Sequence, residues 1–356
     1  MCSSDLLISP SADPSASIAA AAHLLLPQLE RGCRIDAVIL RAAMERAFGG
    51  SDAAGAWDWK TAYDACEAAT ILFLRKFGPA IRARAASPAA ELSLLGKVAA
   101  LLPTHTRRSE ESQALQQFST PLALGFVAAR AAAITPADLV LEPSAGTGLL
   151  AILGELAGSG LALNELAETR ATLLRQLFPS AATTRYDAAH IHDHLDDAVR
   201  PSVVLMNPPF SAAAHVDGTV ADAALRHVAS ALARVAEGGR LVAITGASLS
   251  PDHPSWREAF VRLQERGRVV FSAAVDGRVY ARHGTTIETR LTVIDRVPAD
   301  DPRSFPASPG MAPDVGTLLQ WVMSNVPSRL PVDGAVALPA PIHPVEIGRA
   351  SCRERV

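Results

Sequence analysis

The chain has 356 residues, a formal net charge of −3, 49% hydrophobic and 19% charged residues. That length supports more than one domain and a sizeable core. The near-neutral balance excludes a general nucleic-acid coat, so any nucleic-acid contact is expected from a local patch. Four cysteines, Cys2, Cys33, Cys66 and Cys352, form no C-x-x-C pair, which argues against a zinc site or a disulfide framework and fits a reducing, cytoplasmic setting. No apolar run approaches the ~18 residues of a membrane span.

Residues 1–15 lack a basic signal-peptide start and are expected as a loose tail. Residues 16–115 are expected as a helical N-terminal domain. In "WDWKTAYDACEAATILFLRKFGP", Tyr63, Cys66, Thr70, Phe73 and Phe77 recur at helix spacing, and Gly78-Pro79 is expected to stop the helix. Trp57 and Trp59 are expected as packing anchors, and the segment as a whole offers no evident chemistry.

From residue 116 short apolar runs alternate with helical stretches. The runs are 138–143, 160–165, 202–207, 240–245, 268–275 and 289–297. Alternation of this kind predicts a parallel sheet covered on both faces. The last two runs have no long helix between them and are expected as an antiparallel edge. Residues 116–298 form the predicted catalytic domain. The proline-rich stretch 299–345 is expected as a linker, with one possible helix in "VGTLLQWVMSNV". The last eleven residues, "EIGRASCRERV", match the translation of a common sequencing adapter, so 346–356 are expected to be an artefact and the native chain to continue past Val345.

"VLEPSAGTGLLA" orders a strand, a tight loop and a helix start. Gly146, Gly148 and Ala151 satisfy G-x-G-x-x-[GA], and Glu165 lies nineteen residues after Gly146, at the tip of the next strand. This spacing suits a ligand with a ribose diol. Glu142, just before the loop, selects among such ligands. A carboxylate there opposes the pyrophosphate of NAD but suits the ammonium and sulfonium of S-adenosylmethionine.

"VVLMNPPFS" runs a buried strand into Asn207, Pro208, Pro209 and Phe210. "HIHDH" places His190, His192 and His194 close together, but a solvated helix is expected there rather than a metal site.

"EPSAGTG", "NELAE", "RYDAAH" and "NPPF", with "QQFSTPLALGFVAARAA" upstream, resemble the gamma-type amino-methyltransferases that act on adenine N6 in DNA. The stretch from about 55 to 298 is similar to the methyltransferase region of bacterial methylases joined to a strawberry-notch-like helicase. The resemblance implies a Rossmann-like class I methyltransferase with an N-terminal helical domain. It also implies S-adenosylmethionine as cofactor, DNA as partner with base flipping, and a helicase region beyond the chain. Phe118, Thr120 and Pro121 would line the cofactor. Glu142, Ser144, Ala145, Gly146 and Gly148 would hold its methionine and sulfonium. Glu165 would take the ribose, Leu166 would pack on the adenine, and Asp187 with Ala188 would take the adenine amino group. Asn207, Pro208, Pro209 and Phe210 would hold the substrate amine. Arg185 and Tyr186 depart from the smaller lead-in common before Asp187. Related NPP[YF] enzymes act on RNA bases and on protein glutamine, so those substrates stay open, as does a domain that binds without turnover.

Overall fold

A computed structural model describes residues 13–105, 119–209 and 222–332. Four helices come first: α1 (Pro14–Glu30), α2 (Ala37–Phe48), α3 (Trp59–Arg84) and α4 (Pro88–Ala100). Each begins at a side-chain cap, for example Asp58 accepting from the Thr61 amide in α3 and Ser87 from the Ala90 amide in α4. Helix α5 (Leu122–Ala132) leads into the sheet.

The strands are β1 (Leu139–Glu142), β2 (Gly160–Asn164), β3 (Ala182–Thr184), β4 (Val203–Met206), β5 (Arg240–Gly246), β6 (Arg268–Val275), β7 (Thr289–Asp295) and β8 (Met311–Ala312). Between them lie α6 (Ala151–Leu156), α7 (Glu168–Leu177), the single turn α8 (Ile191–His194), α9 (Asp222–Arg234) and α10 (Pro254–Gln264), with α11 (Val315–Asn325) last. The sheet order is β3-β2-β1-β4-β5-β7-β6-β8. The first five strands in that order are parallel, and β7 runs antiparallel to both β5 and β6. This is the Rossmann-like, doubly wound α/β fold of class I methyltransferases.

Alternating side chains feed two cores. Val140, Val203, Leu205, Val242 and Ile244 face one side, where α1, α3, α4, α5 and α11 pack. Leu141, Val204, Met206, Leu241 and Ala243 face the other, under α9 and α10. Strands buried on both faces read as continuous apolar runs, which is why "VVLM" shows no alternation.

Four sequence expectations differ from this arrangement. Helix α3 does not stop at Gly78-Pro79 but runs through to Arg84. Arg75 grips Glu155 through two bonds before the proline, and Arg82 donates to the Leu156 carbonyl after it, so contacts with α6 hold the helix across its missing amide. A Cβ on Gly78 would lie 2.8 Å from Leu156, so the glycine permits a close helix crossing rather than a stop. The last two runs do pair antiparallel at that end of the sheet, but β7 lies inside β6, and the two-residue β8 rather than either of them forms the outermost strand. The described part of the expected linker is packed: β8 pairs with β6, and Leu318, Leu319 and Val322 of α11 are buried in the first core. The N-terminal helices share that core, so they form one layer over the sheet. Strand β3 and helix α10 escaped detection, the first being three residues long with a poorly buried face.

Candidate active site

The cleft lies where parallel strands end, at the point where the chain order reverses between β1 and β4, which is the usual binding position in such sheets. Its volume is about 150 Å³.

The glycine loop follows β1. Gly146 has φ +56°, a conformation that disfavours a side chain, and a Cβ there would meet nothing within 4 Å. Its amide donates to Glu165 Oε2 at 2.8 Å, and the Ala167 amide donates to Oε1 at 2.9 Å. The acid at the tip of β2 is thereby fixed against the loop. Asn164, just before it, joins three strand ends. Its Nδ2 donates to the Pro143 and Tyr186 carbonyls, both at 2.9 Å, while Oδ1 accepts from the Tyr186 amide at 2.8 Å and the Thr184 hydroxyl at 2.9 Å.

Glu142 is 3% exposed, and its Oε2 is buried with no hydrogen-bond partner among the described residues. Burial raises its pKa well above the usual carboxylate range, with Glu165 adding to the rise and the Ala151 amide opposing it. An uncompensated acid of this kind fits a ligand that brings positive charge.

Ser144, Ala145, Leu166, Asp187 and Ala188 also line the cleft, with Leu166 61% exposed at its mouth. Asp187 already caps the turn after β3, accepting from the Ala189 amide at 2.9 Å and lying 3.4 Å from His190 Nδ1. Burial pushes its pKa up, but that amide and the nearby His227 and His190 outweigh it and leave it lowered.

Beyond β4, Asn207, Pro208 and Pro209 complete the wall. Asn207 Nδ2 donates to Thr120 Oγ1 at 2.8 Å, and the buried Tyr280 side chain lies next to it. Phe118 and Phe210 lie outside the described residues. Two predicted residues do not line the cleft. Pro121 begins α5, and Gly148, at φ +99°, packs on Phe178, whose ring a Cβ would approach to 2.4 Å. Among the described residues no group of His, Cys, Asp and Glu could hold a metal ion, and His194 stacks on Tyr186 at 5.1 Å instead.

Sequence reasoning missed the contribution of the helical layer. Glu67 of α3 lines the cleft, 7% exposed, and accepts a short hydrogen bond from the Thr147 hydroxyl. One turn earlier Asp64 receives Nε and Nη2 of Arg170 at 3.0 and 2.8 Å. The available signal was two acids, Asp64 and Glu67, interrupting an apolar helical stripe. His227, also missed, lines the cleft from α9, its pKa lowered by burial despite Asp187.

The strand order and the acid-flanked glycine loop define the class as a Rossmann-like methyltransferase fold. Solved structures to which the chain is similar include a protein assigned as a class I S-adenosylmethionine-dependent methyltransferase and a methyltransferase subunit of a type I restriction–modification system. TrmN from Thermus thermophilus is similar at 20% identity and TM-score 0.38, over 53% of this chain and 52% of that one, so the chain spans about half the length of that relative. A protein assigned as a class I S-adenosylmethionine-dependent methyltransferase from Listeria monocytogenes aligns at 12% identity and TM-score 0.47, over 88% and 98% of the two chains. The methyltransferase subunit of a type I restriction–modification system from Streptococcus thermophilus aligns at 14% identity and TM-score 0.42, over 58% and 48%. No family model and no curated protein matches the chain. Among the described residues no helix is long and apolar enough to cross a membrane.

Proposed function

We propose that this chain is an S-adenosylmethionine-dependent amino-methyltransferase acting on adenine N6 in DNA, and the front part of a longer methylase–helicase protein. The observation that carries the reading is the meeting of Asn207-Pro208-Pro209 with Glu142, the glycine loop and Glu165 in one cleft. Glu142, Glu165 and the loop from Ser144 to Gly146 would hold the cofactor, with Leu166, Asp187 and Ala188 toward its base. Gly148 shapes the loop by packing, and Thr120 orients Asn207. Phe118 and Phe210 keep the roles the family resemblance gives them, and Pro121 serves to start α5 behind Thr120.

When bound, S-adenosylmethionine supplies an electrophilic methyl group and leaves as a neutral thioether. An aromatic amine is a poor nucleophile because its lone pair is delocalised into the ring. The Asn207 oxygen and the Pro208 carbonyl would each accept one N–H and draw the nitrogen tetrahedral. The ring of Pro208 fixes its φ and Pro209 after it restricts its ψ, so the carbonyl direction is held. Both acceptors strengthen as the nitrogen gains positive charge, which favours the transition state. Phe210 would stack the flipped base, a contact of roughly 1–3 kcal/mol. The extra proton on the methylated amine passes to water.

Radiolabelled methyl transfer tests the reading. Label in DNA at adenine N6 supports it. Label in RNA or protein moves the chemistry to another substrate, and binding without label leaves a non-catalytic module. Asn207→Ala should lower turnover by about 10²–10³-fold, the scale of losing one transition-state hydrogen bond, while cofactor affinity by calorimetry changes only a few-fold. Loss of cofactor binding in that variant would overturn the division of roles.

A further inference from the structure

One acid in the cleft comes from outside the sheet. Glu67 stands midway along α3, and its carboxylate meets the glycine loop at Thr147, one residue past Gly146, with Ser119 beside it. Helix α3 aims two acids at this wall, and they are partnered differently. Asp64 receives two N–H groups of Arg170. Glu67 accepts from the neutral Thr147 hydroxyl, with Ser119 nearby and the Arg170 charge close but engaged by Asp64. A carboxylate this buried, with a cation shared by its neighbour, is set up to receive a positive group from the cleft.

The strand order gives the direction. A ligand with its diol at Glu165 on β2 and its base toward Tyr186 and Asp187 beyond β3 turns its other end toward β1, where Thr147 and Glu67 lie. We infer that Glu67 is a binding residue for the α-ammonium of the bound cofactor, so that the helical layer and not the sheet alone completes the amino-acid end of the site. The inference rests on the S-adenosylmethionine reading above. The charges facing Glu67 are Asp64 from its own helix, Arg170 from α7 and, through Arg170, Glu165 at the tip of β2. Burial and Asp64 push its pKa up to about 7, against the pull of Ser119, Thr147 and Arg170. An arriving ammonium favours the ionised form, so a fraction of a proton leaves on binding at neutral pH.

Two probes separate this role from loop support. S-adenosylhomocysteine carries the amino-acid end, and 5′-methylthioadenosine has the same nucleoside without it. By calorimetry, Glu67→Gln should weaken S-adenosylhomocysteine by about tenfold, the cost of a charge-assisted hydrogen bond, and leave 5′-methylthioadenosine unchanged. With the wild-type chain at pH 7, buffers of different ionisation enthalpy should show proton release for the first ligand and none for the second. Equal weakening of both ligands would make Glu67 a prop of the glycine loop and overturn the inference, as would unchanged affinity for S-adenosylhomocysteine. If Glu67→Gln does not fold, Glu67→Asp takes its place, read against the same two ligands with the same two outcomes. A wild-type chain that binds neither ligand would sink the cofactor reading itself, a result distinct from selective failure of the variant.

Discussion

The two ends of the parallel strands treat buried charge differently. At the starting end, each buried acid has a guanidinium. Asp138, before β1, takes Arg329 Nη2 at 2.6 Å together with the Ser202 and Thr135 hydroxyls. Asp295 takes Arg240 Nε at 2.7 Å and Nη2 at 3.0 Å, and the same arginine donates to the Ala131 and Pro327 carbonyls. At the finishing end Asp64 has Arg170, but Glu142 has a buried oxygen without a partner among the described residues, and Glu67 accepts from the neutral Thr147 hydroxyl. The first pattern fastens α5, the sheet and the C-terminal segment together. The second leaves charge demand open, which folding alone does not require and ligand binding can use.

The sharpest way to break the contrast is to unpair the closed end. Arg240 is 1% exposed, and Arg240→Ala strands a buried carboxylate on Asp295. We expect a loss of about 3–5 kcal/mol in chemical denaturation. A loss under 1 kcal/mol would mean that this end is no more dependent on pairing than the cleft.

The open end should show its demand as pH dependence. The folded pKa of Glu67, about 7, stands above its ordinary 4.5. Its burial costs nothing below the unfolded value, and stability is lost as pH rises from about 4.5 through 7. The difference in stability between Glu67→Gln and wild type should therefore grow over that window, reaching at most about 3 kcal/mol above pH 8. Denaturation midpoints at several pH values measure it. A flat difference would mean that Glu67 is ionised throughout.

The sheet was legible because strands buried on both faces leave apolar runs, and the glycine loop because a tight turn restricts residue type. The residues that miscast the picture acted through distant partners. Gly78-Pro79 reads locally as a stop, but α6 grips the helix on both sides of it. Residues 299–332 read as linker because prolines dominate, but Arg329 reaches Asp138 across 191 positions. Glu67 was invisible as a site residue for the same reason, since its partner Thr147 is 80 residues away. The motif residues of the cleft, by contrast, are local in sequence: Glu142, Gly146 and Glu165 sit at strand tips that periodicity alone locates.

The finest comparison concerns the two glycines of the loop, and their difference tests whether the cleft's open side is really open. Both have positive φ, so an alanine at either is strained by about 1 kcal/mol. At Gly148 the added methyl also meets Phe178 at 2.4 Å and Leu174 at 3.1 Å, which adds overpacking of about 1–3 kcal/mol. At Gly146 it meets nothing within 4 Å and points to no protein neighbour. Gly148→Ala should thus lower the melting temperature clearly more than Gly146→Ala. Binding of S-adenosylhomocysteine should rank them the other way, because only the Gly146 amide is anchored to the acid that would take the ribose. If Gly148→Ala hurts binding more than Gly146→Ala at a temperature where both are folded, the second glycine faces the ligand after all, and its packing against Phe178 is incidental.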